Sequence, residues 1–139
     1  MRIQLKTDIL DTDITALTQL YKSVGWNGHT PEKIACIYHK STHIVFVYEE
    51  NWLVGCGRAL SDGAFNAAIY DVVVRPSHQH KGIGQRIVHQ LVSSIGQVSC
   101  IHLISTLGNK SFYERCGFKK LKTGMGIYYK PELKAQYLE

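Results

Sequence analysis

The sequence predicts a single α/β (α+β) domain over residues 1–139, built on a mixed, mostly antiparallel, twisted sheet of six to seven strands with about four flanking helices. Three observations carry this expectation. A chain of 139 residues has a one-domain length. It can bury roughly two thirds of its unfolded surface, so it needs neither disulfide nor metal to fold. Apolar residues make up 45% and charged residues 19%, the balance of a globular chain. The hydrophobic periods run strand, two helices, three strands, helix, strand, helix, strands, with no linker, repeat or low-complexity segment between them.

Residues 3–6 open the chain as a short strand. Asp11 or Thr12 is placed to cap a helix whose apolar stripe is Ile14, Leu17, Leu20, Tyr21 and Val24, and Gly25 ends it. Thr30-Pro31 starts a second helix, a capping hydroxyl followed by proline at the first helical position, carrying Ile34, Ile37 and Tyr38 to about His39. His43–Glu49 and Trp52–Leu60 form a hairpin across Glu50-Asn51. After the Ser61-Asp62-Gly63 turn, Ala67–Val74 is a third member, stopped by Pro76. An amphipathic helix follows from about Gly84 to Ile95, with Ile87, Val88, Leu91, Val92 and Ile95 at helical spacing. Ser99–Ser105 reads as a strand and Asn109–Cys116 as a short helix closed by Gly117. Two final strands are expected near 118–122 and 126–130, then a helical or frayed tail over 131–139.

Composition excludes several functions. No apolar run approaches the ~18 residues of a membrane span. The segment MRIQLKTDIL has no apolar signal core or small-residue cleavage site, so a cytoplasmic location is expected. The net charge of +5 comes from scattered residues with no basic run, which gives nucleic acid no evident footprint and equally suits a phosphorylated ligand. Cys36, Cys56, Cys100 and Cys116 form no C-x-x-C pair and read as reduced thiols. His78 and His80 form H-x-H without a further ligand at useful spacing, so no metal is expected.

The most informative stretch runs from Tyr70 to Gly84, where a valine-rich strand enters a glycine-containing loop that opens a helix. The first amides of a helix lack intrahelical partners and sit at the positive end of its dipole, which suits an anion such as phosphate. Lys81 and Arg86 can add charge. The loop matches neither G-x-x-x-x-G-K-[ST] nor G-x-G-x-x-G. Taken alone, two glycines also fit an ordinary strand-to-helix turn.

Gln79-x-x-Gly82-x-Gly84, following Val72-Val73-Val74 and Arg75-Pro76, resembles the acetyl-CoA loop of the GNAT N-acetyltransferase superfamily. The resemblance implies a split between strands four and five, and a place for the cofactor. Gln79, His80, Lys81, Gly82, Ile83, Gly84 and Gln85 would hold the pyrophosphate, and the backbone of Val72, Val73 and Val74 would pair with the pantetheine arm. Phe112-Tyr113 and Gly117-Phe118 are similar to a second signature of the superfamily. That likeness implies that Tyr113 protonates the departing thiolate, with Phe112 and Asn109 on the cofactor side. Many members carry an asparagine seven residues before the tyrosine; here Thr106 stands there and Asn109 is only four before.

On the amine side, Asp71 is the candidate to orient or deprotonate the nucleophile, with Asp62 as a second carboxylate; a strand carboxylate and a turn-capping residue are their structural alternatives. Leu20–Trp26, Arg58–Val72 and Gly124-Met125 are similar to segments of plant serotonin N-acetyltransferases and their bacterial relatives. This implies a primary amine such as serotonin or tryptamine as the acceptor of direct transfer from acetyl-CoA; Trp26 and Phe65, each next to a predicted loop, are candidates to contact it, together with Asp62 and Asn66. A homodimer through residues 119–139 is implied in the same way. Polyamine, aminoglycoside-like and protein-lysine acceptors are alternatives, as is a CoA-binding regulator without turnover.

Overall fold

The computed structural model describes residues 2–9 and 13–139. Five strands form one sheet in the order β1-β2-β3-β4-β5: β1 (Ile3–Lys6), β2 (His43–Glu49), β3 (Trp52–Ser61), β4 (Asn66–Val74) and β5 (Cys100–His102). The first four are antiparallel; β5 runs parallel to β4. Helices α1 (Asp13–Ser23) and α2 (Pro31–Lys40) precede β2, α3 (Ile83–Ile95) links β4 to β5, and α4 (Lys110–Arg115) and α5 (Pro131–Tyr137) follow. The Asp11 or Thr12 cap lies outside the described residues. Thr30 does cap α2, its hydroxyl accepting from the Lys33 amide at 3.3 Å, with Pro31 at the first helical position.

Side-chain alternation along β2 sets up two layers. Phe46 and Tyr48 join Leu17, Leu20 and Tyr21 of α1 and Ile34 and Tyr38 of α2 on one face; Val45 and Val47 join Ile83, Ile87, Leu91 and Ile95 of α3 on the other. Tyr48 donates a hydrogen bond to Asp13, which ties α1 to β2. Helix α3 lies hard against β3, where Gly55 and Gly57 leave bare backbone. A Cβ at Gly57 would come within 2.5 Å of an Ile87 methyl.

Two features of β4 shape the site. Cys56 pairs with Val73 and Arg58 with Tyr70, so Asp71 and Val72 together face Gly57: a β-bulge, with Asp71 at φ +53°. The extra residue reverses the strand's phase. Ala67 and Ile69 point toward α3 before the bulge, Val72 and Val74 after it, while Val73 faces α1 and α2. Second, β4 and β5 pair only through Asn66, Ala67 and Ala68; beyond Ala68 the sheet is split, as expected.

The strand count differs from expectation. β5 is shorter than Ser99–Ser105, and residues 118–122 and 126–130 form no strands. Met125, Ile127 and Tyr129 keep a period-two alternation, yet they are 97%, 81% and 87% exposed. Alternation makes a strand only where a neighbour supplies backbone partners and buries one face, and none does so here.

Candidate active site

The split opens a cleft of about 760 Å³. One side is the outer edge of β4 from Ile69 to Val74, free of β5. Its mouth is the start of α3, where Gly82 caps the helix at φ +82° and His80 also turns left-handed at φ +62°. No side chain caps this terminus, so the amides of Ile83, Gly84 and Gln85 remain as donors beside the cleft. The far side is α4 with Asn109, Phe112 and Tyr113.

This mouth is firmly held. The Arg75 guanidinium donates twice to the Leu53 carbonyl, at 3.2 and 3.0 Å, and lies over the Trp52 ring. Buried His78 contacts Ser77 Oγ at 2.7 Å and Glu49 Oε1 at 3.1 Å, which fastens the loop to the β2–β3 hairpin. The Gln79 side chain donates to the Val74 carbonyl at 2.9 Å. Gly84 matters for packing: a Cβ there would sit 3.1 Å from the Phe112 ring, so its absence lets α4 close on α3. His78 thus serves the loop, and no cluster that could hold a metal occurs among the described residues.

Asp71 sits where the bulge turns it toward α1. Its Oδ2 accepts from Arg58 Nε at 2.8 Å and from the Tyr21 hydroxyl at 2.9 Å, and Tyr21 touches Tyr38 at 3.0 Å. Both partners of the Arg58–Asp71 ion pair are largely shielded from water. Tyr113 packs edge-on between Phe112 and Phe118. Burial, then the nearby Cys116 and Asp71 charges, push its hydroxyl up to about 12, so it holds its proton across the neutral range.

The cleft therefore gathers Trp26, Asp71, Val72, Val73, Val74, Gln79, His80, Gly82, Ile83, Gly84, Gln85, Asn109, Phe112 and Tyr113. Lys81 is exposed in the loop but is not part of the lining. Asn109 donates its side-chain amide to the Thr106 hydroxyl, so the two residues at the shifted spacing hold each other. Asp62, Phe65 and Asn66 stand apart from this group. They lie at the opposite end of β4 from Val74, roughly 25 Å away at strand rise. The Asp62 carboxylate accepts three backbone amides, from Ala64, Phe65 and Asn66, which hold it below the usual carboxylate range; this is a turn brace.

Sequence reasoning missed Arg58 and Tyr21 as partners of the Asp71 carboxylate. Arg58 left a signal: a cation inside the apolar run Trp52–Leu60 calls for an acid, and Asp71 on the adjoining strand supplies it.

A splayed sheet with an uncapped helix start at its mouth and an unpaired strand edge inside defines an α/β domain suited to an extended, anionic ligand. The chain belongs to the GNAT acetyltransferase family, whose domain matches residues 40–120. It is 35% identical to the uncharacterized N-acetyltransferase ycf52 of Porphyra purpurea, over 94% of this chain and 81% of that one. It is 32% identical to serotonin N-acetyltransferase 2, chloroplastic, of Oryza sativa, over 76% of this chain and 56% of that one. A GNAT-family acetyltransferase from Streptococcus pneumoniae superposes with a TM-score of 0.80 at 25% identity, over 93% of this chain and 98% of that one. The protein is thus an acyltransferase of the N-acetyltransferase class.

Proposed function

We propose that the protein transfers the acetyl group of acetyl-CoA directly to a primary amine, with an arylalkylamine such as serotonin or tryptamine as acceptor. The observation that carries this is the meeting, in one cleft, of the free β4 edge, the uncapped start of α3 and the protonated Tyr113 hydroxyl. Acetyl-CoA supplies the thioester that the amine attacks. The α3 amides and Arg86 bind its pyrophosphate, and the Val72–Val74 backbone pairs with its pantetheine arm. An amide on that edge can polarise the thioester carbonyl. Tyr113 gives its proton to the sulfur as CoA leaves. Asp71, already bonded to Arg58 and Tyr21, is better suited to attract and orient the ammonium form of the acceptor than to remove its proton. Aromatic Trp26 at the junction with Asp71 favours a flat monoamine over a polycation.

Four free cysteines fit a reducing compartment, and we place the protein in the cytoplasm. No helix among the described residues is long and apolar enough to cross a membrane.

The test is mass spectrometry of products after incubation with acetyl-CoA and a pooled panel: serotonin, tryptamine, phenylethylamine, spermidine, an aminoglycoside and a lysine peptide. Acetylated arylalkylamine is the expected product. Acetylation of spermidine or the peptide alone overturns the acceptor class, and acetyl-CoA binding without any product overturns the reaction.

A further inference from the structure

A second cleft, of about 540 Å³, meets the first at Trp26, Asp71 and Thr106. One wall is the α1–α2 connection with Trp26 and His29; Leu133 and Tyr137 of α5 stand among the others. The His29 ring is edge-on to Tyr21 at 4.8 Å and stacked on Trp26 at 6.0 Å, so its orientation is fixed by two aromatic neighbours. Its Nδ1 is buried with no hydrogen-bond partner, alone in this among the described residues. An enclosed polar nitrogen is normally paired, and an exception marks a place completed by water or a ligand.

Two of the other ionisable groups here are committed elsewhere. Tyr21, against which His29 packs, has its hydroxyl bonded to Asp71 and Tyr38, and burial raises it far above the tyrosine range. Asp71 takes bonds from Tyr21 and Arg58. From α5 the cleft receives the Tyr137 phenol. His29 alone brings to this cleft a ring nitrogen whose hydrogen bonding is unsatisfied.

We infer that His29 takes the proton from the acceptor amine, directly or through one water; this rests on the acetyl-transfer reading above. The acceptor arrives as an ammonium ion beside Asp71. One N–H bond breaks, its proton joins an imidazole nitrogen lone pair, and the freed nitrogen pair attacks the thioester carbonyl carbon. The carbon–sulfur bond then breaks, the sulfur leaves with the Tyr113 proton, and the second N–H proton of the new amide restores Tyr113; the imidazolium returns its own proton to solvent.

The test compares wild type with His29→Phe, which keeps a ring against Tyr21 and Trp26 but has no nitrogen. Tryptamine acetylation is followed from pH 6 to 10 alongside acetyl-CoA affinity. Expected is a loss in kcat/KM of at least about tenfold at pH 7. That loss should shrink as pH rises and the free amine becomes abundant, with acetyl-CoA affinity within about twofold. A smaller loss, or one independent of pH, overturns the proposal, the latter by marking a purely structural role. If His29→Phe does not fold, His29→Asn, which keeps a polar group but cannot take the proton, is judged by the same outcomes. Wild type that acetylates nothing in the panel fails the transfer reading itself and this inference with it; active wild type beside an unimpaired variant fails His29 alone.

Discussion

The two flanks of the cleft are built differently. The β4–loop–α3 flank rests on buried side chains: Ile83, Ile87, Leu91, Val73 and Ile69 are all nearly inaccessible, and Gly57 lets α3 sit directly on β3 backbone. The flank after β5 has little beneath it. Neither α4 nor α5 has a fully buried residue, and the chain between them exposes Met125, Ile127 and Tyr129. It is held by ring contacts, Phe112 against Gly84, Tyr113 against Phe118 and Tyr128 on Tyr137. The cleft is densely packed where it presents the α3 backbone amides, and lightly packed where it presents the Tyr113 hydroxyl.

The largest contrast should appear in stability. Ile87→Ala is expected to cost about 3 kcal/mol in denaturant unfolding. Ile127→Ala, at a mostly exposed position, should cost under about 0.5 kcal/mol. Comparable losses would mean that residues 119–130 are packed in solution. Next, Tyr113→Phe should lower kcat about a hundredfold and leave acetyl-CoA affinity nearly unchanged. Because burial raises Tyr113 to about 12, the wild-type rate should show no alkaline decline from this residue until the pH approaches that value. The same shift has a stability sign. Between pH 10 and about 12 the unfolded chain releases the tyrosine proton while the folded one keeps it, so the folded state loses stability as pH rises through that window.

A smaller effect joins the flanks. Gly84→Ala should push Phe112 outward and raise KM for acetyl-CoA about threefold, with a change in melting temperature of only about 2–4 °C. Least disruptive is a thiol count at pH 8. Exposed Cys36 should alkylate at once, while Cys56, fully enclosed and pushed up to about 12 by burial, should stay unmodified until unfolding.

The same contrast explains what was legible in the sequence. Elements with a buried face were read correctly in kind: the Ile87–Leu91–Ile95 stripe, the Thr30-Pro31 start and the valine-rich β4 each carry a local signal that packing reinforces. That Val72–Val74, Gln79, His80 and Gly82–Gln85 share one cleft was legible for the same reason, since strand, loop and helix start are contiguous in sequence. Met125, Ile127 and Tyr129 misled because alternation records a capacity for pairing, not the presence of a partner. Asp62, Phe65 and Asn66 do not line the cleft: they belong to the turn and the first residue of β4, where the Asp62 carboxylate braces the backbone. The bulge left no trace, since an aspartate at positive φ has no glycine to announce it. His29 escaped because its neighbours Tyr21 and Trp26 meet it only after α1 and α2 fold together.

The early divergence of β5 has a consequence for the protein's life in concentrated solution. A strand edge with open amides is a template on which other chains can grow a sheet. Besides the outer edges of the short strands β1 and β5, the stretch of β4 past Ala68 is such an edge, and its Asp71 bulge kinks it, which limits that growth. A ligand lying along the edge removes it altogether. On the acetyl-transfer reading proposed above, acetyl-CoA lies along this edge, so a preparation stripped of it should scatter light sooner on warming than one kept loaded.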